Sequence, residues 1–160
     1  MSEEENKETF RRVIEEGYSR GHLDILDEVF APDFVEHQAG ILPPTADGVK
    51  GSIAFLRAAF PDLRLTIEEI IASGDKTWAR ITARGTHQGV FMGVPPTGRL
   101  YTIAVMDECR FEDGKIVEHW GVADQLALMA QIGALPKPAQ SRSYGIHKAG
   151  EASPSAPGNA

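Results

Sequence analysis

The stretch that decides the fold runs from Tyr101 to Asp124 and reads YTIAVMDECRFEDGKIVEHWGVAD. Alternating and β-branched residues flank Asp113-Gly114, and an Asp-Gly pair supplies the positive φ angles that a tight turn requires. This stretch therefore predicts a long β-hairpin, whose two strands would form a rigid platform.

Polar side chains occur along both predicted strands, among residues that we expect to be buried. A carboxylate or imidazole held on such a strand can face a cavity, where its pKa shifts toward a value useful in catalysis. The alternative is a set of cross-strand ion pairs on a solvated face. The residues concerned are Asp107, Glu108, Arg110, Glu118, His119 and Asp124.

Composition narrows the possible partners. The 160 residues carry a net charge of -7 without a basic cluster, which argues against nucleic acid or an anionic membrane as a partner. No apolar run approaches the length of a membrane span, and the acidic first residues do not resemble a secretory signal. The lone Cys109 cannot form an internal disulfide, which predicts a cytoplasmic protein. The five histidines are scattered, so we expect no metal site.

The residues before the hairpin predict helices first and long strands afterwards. Apolar residues at helical spacing predict helices, and alternation predicts strands. The segment 85–98 is rich in glycine and proline yet apolar, and we expect it to fold over the open end of the sheet. The predicted helices span residues 3–18, 22–30 and 49–60, and the predicted strands span residues 33–37, 63–72 and 77–86.

The residues after the hairpin predict a short helix and a tail. Leu126, Leu128, Met129 and Ile132 place a helix at 125–132. Residues 136–160 have the composition of a disordered tail, so the predicted domain is 1–135. Helices collected before long strands must cover one face of an antiparallel sheet, which predicts an α+β fold. If that sheet curves, it encloses an apolar pocket.

Several motifs together carry a resemblance to a known family. They are FPDL at 60–63, GTHQGVFMGVPPTG at 85–98, RFEDGKIVEHW at 110–120, and Asp124. With them the chain resembles the SnoaL-like polyketide cyclases, or ester cyclases, of the NTF2-like superfamily, which also contains ketosteroid isomerase. The resemblance implies a cone-shaped barrel, in which a curved antiparallel sheet and three helices enclose a pocket. It also implies a homodimer formed through the outer face of the sheet.

The same resemblance implies a reaction. The family closes a ring in a hydrophobic keto ester by an intramolecular aldol reaction, with acid/base catalysis and no cofactor. Asp124 stands at the position of the family's acid/base residue, and His119 and His37 are further catalytic candidates that can hydrogen-bond oxygens gaining charge. Asp124 can equally cap the helix that follows it, since aspartate is a preferred cap.

The chain also has a looser similarity to the ketosteroid isomerases. Val35-Glu36-His37 stands where those enzymes carry their base, and Asp107 stands in the segment of their protonated aspartate, while Tyr18 can approach from the first helix. His37 replaces the isomerase base, which argues against steroid isomerisation. The expected substrate-binding residues are His87, Asp107, Tyr18, Trp120 and Phe91.

Two kinds of function remain open from the sequence. One is a cyclase, or an isomerase or hydrolase of the same superfamily. The other is a binding protein without catalysis, because this fold also holds proteins that have a pocket and no known chemistry. A catalyst needs a desolvated acid/base group inside the pocket, whereas a binder needs only the apolar lining.

Overall fold

The structure, a computed structural model, describes residues 2–135. The predicted tail, 136–160, lies outside the described residues. The helices are α1 (Glu3–Arg12), α2 (Ile25–Val29), α3 (Ala46–Ala59) and α4 (Gln125–Gln131), and a π-helix (Val13–Ser19) continues α1. The strands are β1 (Phe30–Glu36), β2 (Arg64–Ser73), β3 (Lys76–Thr86), β4 (Leu100–Glu112) and β5 (Lys115–Ala123).

The first helix begins with a capping box. The Ser2 hydroxyl accepts a hydrogen bond from the Glu5 backbone N–H, and the Glu5 carboxylate accepts one from the Ser2 backbone N–H. These two bonds satisfy donors that a helix start leaves free. Beyond Arg12 the helix widens into the π-helix, which carries Tyr18 toward the interior cavity.

Five strands form one curved, open sheet in the order β1-β5-β4-β3-β2. Strands β2 to β5 are antiparallel neighbours, but β1 lies parallel to β5. The predicted antiparallel sheet is thus formed by β2 to β5, and β1 adds a parallel strand at its edge. A parallel pair needs a long connection between its strands, and the chain from β1 to β5 passes through α3 and three strands.

The predicted hairpin forms at its predicted turn. Asp113 and Gly114 join β4 to β5 with φ angles of 45° and 81°. Both values lie in the left-handed region, which glycine adopts freely and aspartate tolerates better than most residues. The register shifts by one residue between Arg110 and Phe111, and beyond that irregularity Cys109 lies beside His119 and Asp107 beside Gly121.

The core lies between the inner face of the sheet and the helices, as an α+β fold requires. Its largest fully buried side chains include Phe10, Phe60, Phe91, Ile53 and Ile81. Strand alternation leaves the other face of the sheet turned away from this core. No helix among residues 2–135 combines the length and apolar character needed to cross a membrane.

Candidate active site

A cavity of about 460 Å³ lies between the helices and the inner face of the sheet. This volume falls in the range of small-molecule sites. Most of the wall is apolar, and Phe91 and Met92 of the 85–98 segment contribute to it. The polar side chains on the wall are Tyr18, Gln38, Ser52, Tyr101, Asp107 and Gln125.

Three neighbouring strands bring an acid, a histidine and a second acid together beside this cavity. On β1 and β5, Glu36 lies next to His119 in the parallel register. On β4, Cys109 lies opposite His119, so Asp107 follows two residues away on the same face. Residues two apart on a strand share a face. The three side chains therefore form a row across the inner surface of the sheet.

The row is connected through the imidazole of His119. Its Nδ1 lies 2.8 Å and 2.9 Å from the two carboxylate oxygens of Glu36, and its Nε2 lies 3.5 Å from Asp107 Oδ1. The exposed fractions of the side chains are 1% for Glu36, 9% for Asp107 and 12% for His119. Water therefore screens these charges little.

The charge of His119 follows from its two neighbours. Burial opposes the charged imidazole, but the facing carboxylates of Asp107 and Glu36 outweigh burial and raise the pKa of His119 to about 10. His119 is therefore an imidazolium at neutral pH, and both of its ring nitrogens are donors. The row then holds two carboxylates around one cation.

Asp107 is the member of the row that faces the cavity. Its Oδ1 is buried and accepts no hydrogen bond of normal geometry from any residue in 2–135. The 3.5 Å separation from His119 Nε2 is long for a hydrogen bond, so we attribute that contact to charge attraction. Asp107 also lines the cavity, so its carboxylate lies within reach of a ligand bound there.

Tyr18 supplies a hydroxyl to the same region. Burial raises its pKa above its ordinary value, and the nearby carboxylates of Asp107 and Glu36 raise it further. The phenol therefore stays protonated and can donate a hydrogen bond. The structure thus places three predicted site residues, Tyr18, Asp107 and Phe91, on the cavity wall, with His119 behind Asp107.

Two predicted site residues lie on the other face of the sheet. The His37 ring stacks on the Trp120 ring, with 4.5 Å between centroids, and His37 Nε2 lies 3.1 Å from Glu118 Oε1. Trp120 borders a shallow groove together with Trp78 and Val122. Because neighbouring strand residues point to opposite faces, His119 pointing inward sends Trp120 outward. Neither His37 nor Trp120 lines the cavity.

His87 lies beneath the 85–98 segment and is fully buried. Its Nδ1 accepts a hydrogen bond from the Thr97 backbone N–H at 3.3 Å and lies 3.0 Å from the Thr97 hydroxyl. The ring also packs near Phe60. These contacts hold the segment together, and His87 does not line the cavity.

Asp124 lies at the exposed amino-terminal end of α4. Its carboxylate accepts a hydrogen bond of 2.9 Å from the Ala127 backbone N–H, which is a helix cap. Ala123 and Gln125 line the cavity, but Asp124 between them does not. Asp124 therefore caps α4, and its catalytic role remains a prediction.

Sequence reasoning missed two residues of the site, Glu36 and Gln38. Glu36 binds His119, and the Gln38 backbone N–H donates to Glu36 Oε1 at 2.7 Å. Strand alternation could have predicted that Glu36 is buried, because Glu36 lies on the same face of β1 as the buried Phe34. Gln38 follows the strand, so alternation says nothing about its side chain.

The three-residue row does not resemble a metal centre. Both nitrogens of His119 face a carboxylate, so the side chains form a chain rather than a set of ligands around one point. Within residues 2–135, no group of three or more His, Cys, Asp or Glu side chains is arranged to hold a metal ion.

The fold and the site together define a class. This is an α+β protein in which an open, curved sheet and helices enclose an apolar cavity, with the Asp107 carboxylate on its wall and the His119 imidazolium behind that carboxylate. The SnoaL-like polyketide cyclase model matches residues 8–132. The chain therefore belongs to the SnoaL-like polyketide cyclase family.

Individual relatives agree with this assignment. The aklanonic acid methyl ester cyclase DauD of Streptomyces sp. (strain C5) is 31% identical over 130 residues, which cover 77% of this chain and 78% of DauD. The crystal structure of AclR from Streptomyces galilaeus, for which a hydroxylase function has been proposed, matches with a TM-score of 0.76 and 36% identity, over 87% of each chain.

A third relative is IdmH from Streptomyces antibioticus, for which a polyketide cyclase function has been proposed. Its structure matches with a TM-score of 0.71 and 38% identity, and the match covers 79% of this chain and 97% of IdmH. Each of these three matches covers more than three quarters of this chain.

Proposed function

We propose that the protein is a cofactor-independent cyclase that closes a ring in a hydrophobic keto ester by an intramolecular aldol reaction. Asp107 is the proposed base, and His119 is the cation whose charge attraction holds the Asp107 carboxylate in place. The observation that carries this proposal is the position of the Asp107 carboxylate, on the wall of an apolar cavity and beside a buried imidazolium. The cyclase DauD, named for aklanonic acid methyl ester, supports an ester substrate.

The proposed reaction needs one proton to be removed and one to be returned. The Asp107 carboxylate takes a proton from a carbon between two carbonyl groups, and the electron pair of the C–H bond becomes the enolate. The enolate carbon attacks a second carbonyl group, so that a C–C bond forms and an alkoxide results. Protonated Asp107 then returns the proton to the alkoxide, and nothing is oxidised or reduced.

The surroundings of Asp107 suit this chemistry. The enolate spreads its charge over carbonyl oxygens, and a donor placed to meet that charge lowers the barrier. The Tyr18 hydroxyl is protonated and borders the cavity, so it is a candidate for such a donor. The His119 imidazolium offsets the negative charge of Asp107 before the proton is taken up. Glu36 holds the imidazole in its orientation through Nδ1.

The decisive measurement is proton exchange at the activated carbon of a simple substrate. We would follow the C-2 protons of methyl 3-oxo-5-phenylpentanoate in D₂O by NMR, with wild type, Asp107→Asn and Asp124→Asn. Asp107→Asn should lower the enzymatic exchange rate by about 10²- to 10⁴-fold, because it removes the base. The matched control is Glu108→Gln, which alters the neighbouring carboxylate on the outer face.

The other outcomes have clear meanings. Loss of exchange in Asp124→Asn but not in Asp107→Asn would show that Asp124 is the base, as the family resemblance implies. Tight binding of the ester by wild type without exchange above buffer would favour a binding protein, for which the apolar lining suffices. Turnover of aklanonic acid methyl ester would then be the remaining test of a cyclase.

We also infer that the protein forms a homodimer through the outer face of the sheet. Four large apolar side chains lie exposed there, and such a patch marks an interaction surface. A second copy of this chain fits because the two-fold arrangement pairs a patch with itself. The residues of this outer-face patch are Ile71, Trp78, Met106 and Val122.

A charge placed in the outer-face patch tests the dimer. Val122→Lys should convert a dimer into a monomer, since the new charge would be buried at the interface. Leu126→Lys is the control, because Leu126 is 70% exposed on α4 and lies outside the patch. Size-exclusion chromatography with light scattering gives the mass of each variant. A monomeric wild type would contradict the inference.

The proposed location is the cytoplasm. Cys109 is a free thiol and is buried, so the described domain does not depend on a disulfide. Reducing compartments keep such thiols unpaired. Fractionation of cells that express the protein would test the location.

A further inference from the structure

The strand position opposite Asp107 carries a glycine, and the space above it is occupied. Gly121 on β5 lies beside Asp107 on β4. A Cβ placed on Gly121 would lie 2.1 Å from Gln38 Oε1, and 2.9 Å from both Asp107 Oδ1 and His119 Cε1. Such separations are too short for a real methyl group. The Gln38 amide therefore fills the volume that any side chain at 121 would need.

The amide of Gln38 lies close to the proposed base. Both Gln38 Oε1 and Asp107 Oδ1 crowd the same point above Gly121, and both residues line the cavity. The backbone of Gln38 is anchored independently, because its N–H donates to Glu36 Oε1 at 2.7 Å. Gln38 thus contacts one carboxylate of the row through its backbone and approaches the other through its side chain.

The side-chain amide of Gln38 makes no hydrogen bond to another residue in 2–135. A primary amide carries two donor hydrogens and one acceptor oxygen, and rotation about its last bond exchanges their places. Unused donors beside a desolvated carboxylate are suited to a ligand oxygen.

We propose that Gln38 positions the substrate, by donating a hydrogen bond from its side-chain amide to the ketone oxygen next to the acidic carbon. This bond holds the carbon against the Asp107 carboxylate and strengthens as the ketone becomes an enolate. Gly121 keeps open the volume that the amide needs. The proposal rests on the proposed carbon-acid chemistry, but its first test does not require turnover.

The direct test observes the amide itself. In a ¹⁵N-HSQC spectrum, the side-chain NH₂ cross-peaks of Gln38 are identified by their absence from the spectrum of Gln38→Ala. Titration with methyl 3-oxo-5-phenylpentanoate should shift these cross-peaks. Methyl 5-phenylpentanoate, which lacks the ketone, should shift them much less. The NH₂ cross-peaks of Gln88, which is exposed in the 85–98 segment, should stay in place.

The kinetic test uses exchange of the C-2 protons. Gln38→Ala should lower kcat/KM for exchange by about 10²-fold, as loss of an aligned donor does. Gly121→Ala should cause at least as large a loss, because its Cβ would displace the amide and would also crowd Asp107 Oδ1 and His119 Cε1. Gln88→Ala should exchange at the wild-type rate. Thermal melting confirms that each variant is folded.

The outcomes separate this proposal from the proposed function. Exchange that depends on Asp107 but is unchanged in Gln38→Ala, with unshifted amide cross-peaks, would overturn the role of Gln38 and leave the cyclase standing. Absence of wild-type exchange would count against the cyclase, and the amide cross-peaks would still decide whether Gln38 binds the ketone. Equal shifts with both esters would overturn the positioning role.

Discussion

The tripeptide Val-Glu-His occurs twice, as residues 35–37 at the end of β1 and as residues 117–119 on β5. The two strands are parallel neighbours, and their register places Glu36 beside His119 and Val35 beside Glu118. The copies are thus displaced by one residue. As a result, the glutamate of the first copy and the histidine of the second face inward, whereas Glu118 and His37 face outward.

The two His–Glu pairs that result have similar geometry but different surroundings. The inner pair, His119–Glu36, is 2.8 Å apart, and its side chains are 12% and 1% exposed. The outer pair, His37–Glu118, is 3.1 Å apart, and its side chains are 35% and 25% exposed. Water screens the outer pair and barely reaches the inner one. Burial, rather than residue type, therefore distinguishes the candidate active site from the surface.

The largest expected difference between the pairs is in stability. Glu36→Gln removes one charge from a buried pair and should lower the free energy of unfolding by about 3–5 kcal/mol. Glu118→Gln changes an outer pair and should lower it by about 1 kcal/mol or less. Urea unfolding of both variants gives the values. Equal losses would mean that burial does not control these pairs.

The inner pair should also make stability depend on pH. The pKa of His119 is raised from 6.5 to about 10, so folding favours the protonated ring. That contribution is complete below pH 6.5 and is lost as the pH rises toward 10. The free energy of unfolding should therefore fall across this window. In His119→Gln the free energy of unfolding should decrease much less over the same pH range. A decrease as large as that of the wild type would show that other groups cause the pH dependence.

The smallest expected effect concerns Asp124. Asp124→Ala removes the cap of α4 and should lower the free energy of unfolding by about 1 kcal/mol. Asp124→Asn keeps an acceptor for the Ala127 N–H and should be close to wild type in stability. Thermal unfolding measures both. A loss of several kcal/mol in Asp124→Asn would show that its charge has a larger structural role than capping.

Much of the fold could be predicted from local signals. The Asp113-Gly114 turn, the alternation of β2 to β5 and the helical spacing of the early segments all depend on residues close in sequence. The direction of β1 could not be predicted in this way. Nothing near residues 30–36 shows that this strand pairs with β5, more than 80 residues later, or that the pair is parallel.

The candidate site was predicted in part. Asp107, Tyr18 and Phe91 were singled out and line the cavity, and His119 contacts Asp107. His37 and Trp120 lie elsewhere because a strand pattern fixes alternation but not which set faces inward. His87 lies beyond the end of β3, where its contacts with Thr97 decide its place. One step in register would have exchanged His119 for Trp120 on the inner face of the sheet.

The sequence by itself determined the family, through the motifs that resemble it, and it determined the α+β class and the strand hairpin, because these follow from periodicity and turn residues. Only the tertiary structure decided which copy of Val-Glu-His has its histidine on the inner face of the sheet, and that Gln38 fills the space above Gly121. Both features depend on how distant strands align. A shift of one residue between β1 and β5 reverses every face without changing any local pattern.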